Sequence, residues 1–487
     1  MSSLTEDIRS IVAEVLKGYD LSAMSRTGGG AAGDATGGSV DSTAPVAPGI
    51  FRTIDAAVAA AATAQRELMQ LPLDTRRAMI AAIRSTVIDN NESLSREAVE
   101  ETGLGNVRDK IVKNRIAALK TPGVEDVEPS AITDEHGLTL TERAPYGVIG
   151  AITPTTNPTS TITSNGIGMI AAGNSVVFNV HPAAKRISCR LVTLINQAIT
   201  GAGGPSNVMC AVENPTIESA NELMTHRGVA ILVVTGGPGV VKAAMKSGRK
   251  AICAGPGNPP VVVDETADLV KAGRDIVSGA GFDHNVVCIC EKEVLAVETI
   301  ADRLKEEMRK NGAFELTAEQ TAQLVPHILA DPGGPGKEGA TNKAYVGKSP
   351  KEIAKAIGLD VPESTRILLC EVGREHPLVW TEQLMPVLPL VRMKNVDEAI
   401  DFAVQVEHGF RHTAAMHSHD VMKLSKMARA MNCSLFVKNG PCYAGLGEGG
   451  AGYTSFTIAS PTGEGLTRAR TFTRERRCTL VDSFRII

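Results

Sequence analysis

The chain has 487 residues, of which 50 are Lys or Arg and 54 are Asp or Glu, so its formal net charge is −4. This near balance gives no electrostatic reason to expect a protein that binds nucleic acid or a membrane surface. Aromatic residues make up only 3% of the chain and 47 residues are Gly, which favours α/β layers with an aliphatic core over an aromatic-rich β-sandwich. At roughly 100–200 residues per domain, the length predicts about two to four domains.

The first 50 residues differ in pattern from the rest. Residues 3–20 carry apolar side chains at helical spacing and predict an amphipathic helix, which at this length is marginal alone in water. Residues 21–49 are mostly Gly, Pro, Ser, Thr and Ala and predict a flexible linker. We therefore expect the helix to dock on another surface. The linker favours a partner protein over the chain's own body, and the mixed charge of the polar face argues against lipid.

An uncharged stretch from Ala144 to Ala184 raises the question of a membrane span. Pro and Gly residues interrupt it repeatedly, so short apolar runs alternate with turn formers. This pattern predicts a buried strand, loop, helix and second strand, and no membrane segment. The N-terminus carries acidic residues before any apolar run, and the nine cysteines are widely spread. Both features predict a cytoplasmic protein in which most thiols are packed core side chains.

From residue 51 onward, the pattern predicts helices and then two series of alternating strands and helices. One helix is expected to start at Thr53 and another to be capped by Asp74. The strands predicted in the first series are 146–152, 175–180, 207–212 and 229–234. The second series begins after Asn258, with strands at 260–263 and 292–297 and helices at 266–279 and 298–311. Alternation of this kind predicts two mostly parallel sheets.

Two strand-to-helix junctions of the first series carry groups suited to a ligand. The loop Thr153–Thr159 lies where a parallel sheet opens at its carboxyl end, and Asn157 there lies between two prolines. Its amide could donate to an oxyanion, although an ordinary Asn-Pro turn is the simpler interpretation. Thr235-Gly-Gly-Pro-Gly follows a strand and opens a helix, which suits a phosphate but is a weak pattern alone.

The segment 282–291 is the most informative short stretch. Its thiols, Cys288 and Cys290, could be packed side chains on one face of a strand, a redox pair, half of a metal site with His284, or a nucleophile. No second Cys or His cluster completes four metal ligands. On the residues alone, packed thiols are favoured over a nucleophile.

Three further stretches lie outside the two series. Residues 332–347 are rich in Gly and predict a surface excursion, and residues 438–452 form a long Gly-rich loop. The Arg-rich run 468–477, with 479–481, predicts an exposed strand. Such a strand is either an ordinary solvated edge or a strand that pairs with another subunit.

Taken together and in this order, these segments resemble the CoA-acylating branch of the aldehyde dehydrogenase superfamily over about residues 51–487. The motifs that carry the resemblance are Phe51-Arg-Thr-Ile-Asp, Glu142-Arg-Ala-Pro-Tyr-Gly-Val-Ile-Gly, Gly173-Asn-Ser-Val-Val-Phe, Thr235-Gly, Phe282-Asp-His-Asn-Val-Val-Cys288 and Glu382-Gln-Leu-Met-Pro-Val. The resemblance implies an α/β fold of two Rossmann-like parallel-sheet domains plus a small oligomerisation strand region. The implied segments are 50–258 for nucleotide binding, with 130–143 contributing to oligomerisation, 259–445 for catalysis, and 446–487 for a return segment and oligomerisation strand.

The resemblance also implies roles for individual residues. Cys288, and not Cys290, is the implied nucleophile, and Asn157 with the Cys288 backbone N–H holds the oxyanion. NAD takes the hydride, and coenzyme A then takes the acyl group from Cys288. No metal is expected. The residues expected to contact the cofactors are Thr153, Pro154, Thr155, Asn179, His181, Thr235, Gly236, Gly239, Gly255 and Glu382.

Two departures from the family pattern bear on the chemistry. Hydrolytic members keep a glutamate general base where this chain has Cys253, and a thiol cannot activate water as a carboxylate does. We therefore expect the acyl group to leave to coenzyme A. Many relatives place a ribose-binding Lys and an acid where this chain has Asn179 and Pro182, so a preference for NAD over NADP follows from the family alone.

The N-terminal helix and linker resemble the encapsulation peptide of enzymes packed inside bacterial microcompartments. The implied substrate is propanal, in 1,2-propanediol utilization, inside the lumen of such a compartment. The implied partners are shell or core proteins, through residues 1–20, and further copies of the chain in a homodimer or homotetramer. The alternatives are an acetaldehyde-preferring enzyme of ethanolamine breakdown, a hydrolytic aldehyde dehydrogenase and a non-catalytic shell-binding scaffold.

Overall fold

The computed structural model describes residues 43–482 and 484–487. The helix predicted at 3–20, and the predicted linker as far as residue 42, lie outside the described residues. Residues 43–49 form a turn that leads into the first strand, β1 (Ile50–Phe51). In this turn the Val46 N–H donates to the Ile50 carbonyl and the Ile50 N–H donates to the Ala47 carbonyl, both at 2.8 Å.

Four helices follow: α1 (Ile54–Leu68), α2 (Leu73–Asp89), α3 (Asn91–Thr102) and α4 (Val107–Lys120). The start predicted at Thr53 is confirmed, since its Oγ1 accepts the Ala56 N–H at 3.2 Å. The cap predicted at Asp74 is wrong. Helix α2 begins directly after Pro72, whose φ of −57° and ψ of 151° already give the extended entry. Asp74 instead lies in the first turn and pairs with Arg77 at 2.8 Å.

A hairpin of β2 (Ser130–Asp134) and β3 (Gly137–Pro145) leads into the first parallel sheet. Its strands after β1 are β4 (Val148–Ile152), β5 (Ser175–Asn179), β6 (Met209–Val212), β7 (Ile231–Thr235) and β8 (Ala251–Ala254). The connecting helices are α5 (Pro158–Ala171), α6 (Lys185–Gly201), α7 (Ile217–Thr225) and α8 (Pro238–Lys246). The strand order β1-β6-β5-β4-β7-β8 reverses its direction beside β4. The carboxyl ends of β4 and β7 therefore open the crevice in which such sheets bind ligands.

The second parallel sheet follows directly. Its strands, with the small hairpin β12–β13, are β9 (Pro260–Val263), β10 (Glu293–Val297), β11 (Ala313–Leu316), β12 (Leu329–Asp331), β13 (Ala340–Thr341), β14 (Ile367–Glu371), β15 (Val387–Met393), β16 (Thr413–His417) and β17 (Leu435–Lys438). Its helices are α9 (Leu269–Ala280), α10 (Ala301–Lys310), α11 (Ala318–Ile328), α12 (Pro350–Ala354), α13 (Val396–Val406) and α14 (Val421–Met431). The order is β11-β14-β15-β10-β9-β16-β17. The two predicted strand–helix series thus give two parallel sheets.

The end of the chain returns to the first half of the molecule. After a short hairpin of β18 (Ile458–Ala459) and β19 (Gly465–Leu466), strand β20 (Thr473–Val481) pairs antiparallel with β3 along its whole length. The third sheet therefore has the order β2-β3-β20. After its first residue, every residue of β20 is exposed, which confirms the exposed strand expected from the Arg-rich run.

The uncharged stretch forms the centre of the first domain. Helix α5 is buried at all of its 14 positions, and β4 and β5 flank it, as predicted. The return segment covers this helix, because the Phe472 ring lies against Gly168 and its carbonyl accepts the Asn174 Nδ2–H at 2.9 Å. The Thr457 hydroxyl also donates to Asn165 Oδ1 at 3.1 Å. None of the helices in the described part of the chain has the length and apolarity needed to cross a membrane.

Acidic side chains are buried at the amino end of β10. Glu291 is fully buried, and one of its carboxyl oxygens accepts the Cys442 N–H at 2.7 Å. Burial raises the pKa of Glu291 from 4.5 to about 7, although the Cys442 N–H acts in the opposite direction. The fold therefore favours the neutral acid at this position.

This preference makes the stability of the fold dependent on pH. The wild-type protein loses stability as the pH rises from 4.5 to 7, because Glu291 is already ionised in the unfolded chain while the folded state keeps it neutral. Glu291→Gln lacks this loss. The free energy of unfolding of the variant, relative to wild type, should therefore increase by roughly 3 kcal/mol between pH 4.5 and 8. Urea denaturation at several pH values measures it, with Glu375→Gln, at an exposed position, as the control. A difference that does not vary with pH contradicts the prediction.

Candidate active site

Cys288 lies in an irregular turn between α9 and β10. The turn begins with Phe282–Asn285, whose last three residues have left-handed φ values of 47°, 52° and 64°. The interpretation that places both thiols on one strand is wrong, because Cys288 and Cys290 precede the strand. Cys290 is fully buried and its thiol donates to the Phe282 carbonyl at 3.7 Å, whereas Cys288 is partly exposed. Of these two thiols, Cys288 is the one that a substrate can reach.

The electrostatic surroundings of Cys288 are mixed. Burial raises the pKa of its thiol to about 12, and the charge of Glu382 adds to this effect. The ammonium groups of Lys292 and Lys113, and the Cys288 backbone N–H, lower it in part. Lys292 is fully buried and donates to the Asn285 carbonyl at 3.1 Å. The resting thiol is therefore protonated at neutral pH and must lose its proton to react.

Asn157 directly precedes α5, and its side chain makes no capping hydrogen bond to that helix. Its Oδ1 accepts the Lys113 ammonium at 2.6 Å, and its Nδ2 donates to the Thr156 hydroxyl at 3.1 Å. One Nδ2 hydrogen remains for a ligand. Lys113 also forms an ion pair with Asp283, in the turn that leads to Cys288. The structure thus connects the two residues expected to be catalytic through one buried lysine.

The loop after β4 offers unpaired hydroxyl groups. Thr153 is buried, and Pro154 and Thr155 are partly buried. The Oγ1 atoms of Thr153 and Thr155 have no hydrogen-bond partner among the described residues. Thr235, at the end of β7, instead shares a hydrogen bond with the Thr457 hydroxyl at 2.8 Å. Unpaired polar atoms at the carboxyl end of a parallel sheet suit a polar ligand.

The turn after β7 fits a nucleotide phosphate. A Cβ atom at Gly237 would have no heavy atom within 4 Å, so there is open space where α8 begins. Gly236 donates its N–H to the Ala254 carbonyl at 3.3 Å, and Gly239 lies in the first turn of α8. The free N–H groups of a helix start attract a phosphate. Packing also favours Gly at position 255, because a Cβ atom there would lie 3.0 Å from the Pro461 ring.

Two residues expected to contact a cofactor are engaged elsewhere. The Asn179 amide accepts the Ser219 hydroxyl at 2.5 Å and donates to the Thr216 carbonyl at 3.3 Å. It therefore holds the start of α7. His181 Nδ1 accepts the Ala183 N–H at 3.1 Å, and burial lowers the pKa of its imidazole, with a further contribution from the charge of Lys343.

Glu382 lies beside Cys288 and the loop after β8. Its carboxylate accepts the Gly257 N–H at 3.3 Å. Burial raises the pKa of Glu382 to about 7, Lys292 acts against this rise, and Glu338 adds to it. Glu338 belongs to the stretch 332–347, predicted as a surface excursion. The structure brings part of that stretch to the site, where the Gly339 N–H donates to the Thr381 hydroxyl at 3.1 Å.

His412 was not expected from the sequence. It is fully buried, its Nδ1 is hydrogen-bonded to the Thr413 hydroxyl at 2.8 Å, and its Nε2 has no partner among the described residues. Burial lowers the pKa of His412 to about 4, with a contribution from Lys292, so the ring is neutral. A Cβ atom at Gly257 would lie 2.9 Å from the His412 ring and 3.0 Å from the Cys288 carbonyl oxygen. The histidine and the cysteine therefore flank the same glycine.

The position expected for a general base holds a packed thiol. Cys253 lies in β8, is fully buried, and donates its N–H to the Thr462 hydroxyl at 2.9 Å. Burial raises the pKa of this thiol to about 12, with a smaller contribution from Glu464. In residues 43–482 and 484–487, no three His, Cys, Asp or Glu side chains come together as a metal site. The groups present suit covalent attack on a carbonyl carbon, with an amide to hold the oxygen.

Comparison with known proteins agrees with this chemistry. The model of the aldehyde dehydrogenase family matches residues 42–326. Over 440 residues the chain is 51% identical to Acetaldehyde dehydrogenase (acetylating) EutE of Escherichia coli strain K12, covering 90% of this chain and 94% of that protein.

Solved structures extend the match to three dimensions. A crystal structure of Rhodopseudomonas palustris propionaldehyde dehydrogenase with bound CoA and an acylated cysteine is 52% identical, with a TM-score of 0.87 over 89% of this chain and 98% of that one. A propionaldehyde dehydrogenase from the Clostridium phytofermentans fucose utilisation bacterial microcompartment is 47% identical, with a TM-score of 0.88 over 90% of this chain and 100% of that one. The resemblance found in the sequence and the α/β fold are both confirmed. The chain belongs to the aldehyde dehydrogenase family, in its CoA-acylating branch.

Proposed function

We propose that this protein oxidises propanal with NAD and transfers the acyl group to coenzyme A, which yields propanoyl-CoA and NADH. The observation that carries the proposal is the partly exposed residue Cys288, whose preceding turn is joined to the Asn157 amide by Lys113. Cys253, and not a carboxylate, occupies the position of the general base. The relatives named for acetylating and propionaldehyde-oxidising activity support the same class of reaction.

The first half-reaction forms an acyl-enzyme. Cys288 releases its proton to the solvent, and the thiolate sulfur forms a bond to the aldehyde carbon. The free Nδ2–H of Asn157 and the Cys288 backbone N–H hydrogen-bond the oxygen as it gains negative charge. NAD, when bound, supplies the hydride acceptor. Loss of hydride from the former aldehyde carbon leaves an acyl thioester on Cys288.

The second half-reaction releases the acyl group. The sulfur of coenzyme A bonds to the acyl carbon, the bond to Cys288 breaks, and the thiol proton passes to the Cys288 sulfur. The Cys253 thiol cannot activate water in competition, since it is buried and its pKa is raised to about 12. The acyl-enzyme therefore persists until a thiol arrives.

His412 fits the second half-reaction. Its ring is neutral, because burial lowers the pKa to about 4, and its unpaired Nε2 can accept a hydrogen bond from an incoming thiol. Its ring and the Cys288 carbonyl oxygen both lie close to Gly257, at 2.9 Å and 3.0 Å from where a Cβ atom would be. We assign His412 to orienting the sulfur of coenzyme A, and not to the formation of the acyl-enzyme.

The crevice at the carboxyl ends of β4 and β7 is the proposed place for NAD and coenzyme A. The hydroxyls of Thr153 and Thr155 offer hydrogen bonds there, and the start of α8 suits a phosphate. Glu382 is the proposed partner of the nicotinamide ribose. Asn179 contributes indirectly, because it holds the start of α7.

Acetaldehyde is the second candidate substrate, and the name of the Escherichia coli relative favours it. Both aldehydes are small and react by the same steps, so the size of the pocket beyond Cys288 decides between them. We place propanal first because both structural relatives described above are propionaldehyde dehydrogenases.

Two segments of the chain support proposed contacts. We place residues 1–20 against a shell or core protein of a bacterial microcompartment for 1,2-propanediol utilization. Their amphipathic pattern needs a docking surface, and a relative of similar structure comes from a bacterial microcompartment, one for fucose utilisation. Strand β20 is the proposed oligomerisation strand of a homodimer or homotetramer. It is exposed, and the apolar Phe484, Ile486 and Ile487 beyond it are exposed too.

The requirement for coenzyme A tests the reaction. With propanal and NAD, sustained formation of NADH should require coenzyme A, and without it at most one equivalent of NADH per active site should form. Cys288→Ala should abolish both signals, whereas Cys290→Ala, which removes a buried thiol, should retain them. The same assay with acetaldehyde and butanal should give propanal the highest kcat/KM. Sustained turnover without coenzyme A would identify a hydrolytic enzyme.

The role of His412 separates the two half-reactions. His412→Gln should leave the single-turnover burst of NADH within about threefold of wild type, because the acyl-enzyme forms without it. Steady-state turnover should fall about tenfold or more, because the attack of coenzyme A on the acyl-enzyme becomes the slow step when no group assists transfer of the thiol proton. Rapid-mixing absorbance measurements distinguish the two phases. If the rate of the NADH burst and the steady-state rate fell by the same factor in this variant, the assignment would be refuted.

The proposed binding of residues 1–20 to a microcompartment shell can be tested separately from catalysis. Deletion of residues 1–20 should leave kcat/KM unchanged and abolish co-sedimentation with purified microcompartment shells. A deletion variant that loses activity in dilute solution would show that residues 1–20 pack on the enzyme itself. A variant that still co-sediments would show that another part of the chain binds the shell.

A further inference from the structure

A buried lysine connects the two halves of the candidate site. Lys113, on α4, is 1% exposed, and its ammonium donates to Asn157 Oδ1 at 2.6 Å and pairs with Asp283. Lys110, one turn earlier on the same helix, also reaches Asp283 at 3.1 Å and the Thr156 carbonyl at 3.4 Å. Two ammonium groups and the one carboxylate that pairs with both, Asp283, are therefore held out of water beside the residues expected to react.

Stability of the fold does not by itself explain why these charges are buried. Removing an ammonium from water has a large desolvation cost, and one carboxylate cannot fully compensate two cations. The pKa of Lys110 falls to about 8, because burial outweighs the attraction of Asp283 and Lys113 lowers it further. Apolar side chains on α4 would fill the same volume at lower cost. The surplus positive charge therefore calls for a role in the site.

The first arm of Lys113 fixes the orientation of the Asn157 amide. An ammonium can only donate, so it selects the carbonyl oxygen of the amide and excludes the flipped orientation. The amide nitrogen then lies on the other side, where it donates one hydrogen to the Thr156 hydroxyl at 3.1 Å. The remaining N–H is left for the substrate oxygen. The cation also polarises the amide, which makes that N–H a stronger donor.

The second arm fixes the turn that carries the nucleophile. Asp283 is fully buried and left-handed, with φ of 47°, a conformation that needs support in a residue other than Gly. Besides the two lysines, the Asn106 N–H donates to the Asp283 carboxylate at 2.8 Å. The backbone N–H of Asp283 donates to the Asp109 carboxylate, also at 2.8 Å. A Cβ atom at Gly105 would lie 2.0 Å from Asp283 Oδ1, so the loop before α4 closes tightly around this carboxylate.

We propose that Lys113 is the positioning residue that aligns the Asn157 amide with the Cys288 turn, so that a single ammonium group sets the geometry of the oxyanion site. This inference deepens the proposed function and rests on it for the roles of Asn157 and Cys288. The proposed role of Lys113 requires no contact with the substrate or with the Cys288 sulfur. It acts through Asn157 on one side and through Asp283 on the other.

The test is a double-mutant cycle in the full-length enzyme. Lys113→Met keeps the length of the side chain and leaves Asp283 paired with Lys110, so the charges that remain are balanced. The single-turnover rate of NADH formation should fall about 100-fold, as for loss of an oxyanion donor, with little change in the KM for propanal. Lys120→Met, at the end of the same helix, removes an ammonium group that donates to the Gly447 carbonyl, and it should keep the wild-type rate.

The cycle distinguishes a positioning role from a merely structural one. In an Asn157→Ala background, Lys113→Met should cost less than about threefold, because the amide on which it acts is gone. Lys113→Arg, which restores a cation, should recover at least tenfold over Lys113→Met. If the methionine protein does not fold, Lys113→Gln takes its place in the cycle. Full additivity of Lys113→Met and Asn157→Ala, or a wild-type rate in Lys113→Met, overturns the inference. Wild-type activity in Asn157→Ala would instead overturn the proposed site itself.

Discussion

The ion pair between Lys113 and Asp283 joins helix α4 of the first domain to the turn that precedes Cys288, and both side chains are fully buried. In such surroundings an unpaired charge costs several kcal/mol, so each partner holds the other in place. The pair therefore holds helix α4 against the turn that leads to Cys288. Asn157 follows a strand of one sheet and Cys288 precedes a strand of the other, so the candidate site draws on both sheets.

The polarity of the two sheets explains why reactive groups collect along this line. Loops that follow strands of the first sheet carry Asn157 and Gly257, and loops that precede strands of the second carry Cys288, Glu382 and His412. Strand ends leave backbone groups free for ligands, while the strands themselves remain packed. Gly257 allows the closest approach, because a side chain there would collide with the His412 ring and the Cys288 carbonyl. The chemistry can therefore vary at the loops without disturbing the cores.

Strand and helix positions were largely predictable, because hydrophobic runs bounded by Gly and Pro determine them locally. The resemblance in motifs also directed attention to Cys288, which the residues alone did not favour. The roles of Lys113 and His412 could not be predicted, since buried charged and polar residues look like surface residues in a sequence. Their partners lie far away along the chain, as with the Lys113–Asp283 pair. The same limit explains Asn179, whose hydrogen bonds to Ser219 and Thr216 depend on tertiary contacts.

The covering of helix α5 by Phe472 has a consequence for biosynthesis. The ribosome releases this uncharged helix long before it reaches Phe472, whose ring lies on Gly168 and whose carbonyl holds Asn174. Until then the nascent chain exposes an apolar surface without a single charge to keep it apart from other chains. A chain that stalls after β17 but before Phe472 has both parallel sheets but lacks the cover of the first. The first sheet therefore gains its cover only after the second sheet has been synthesised, although its own strands appear earlier.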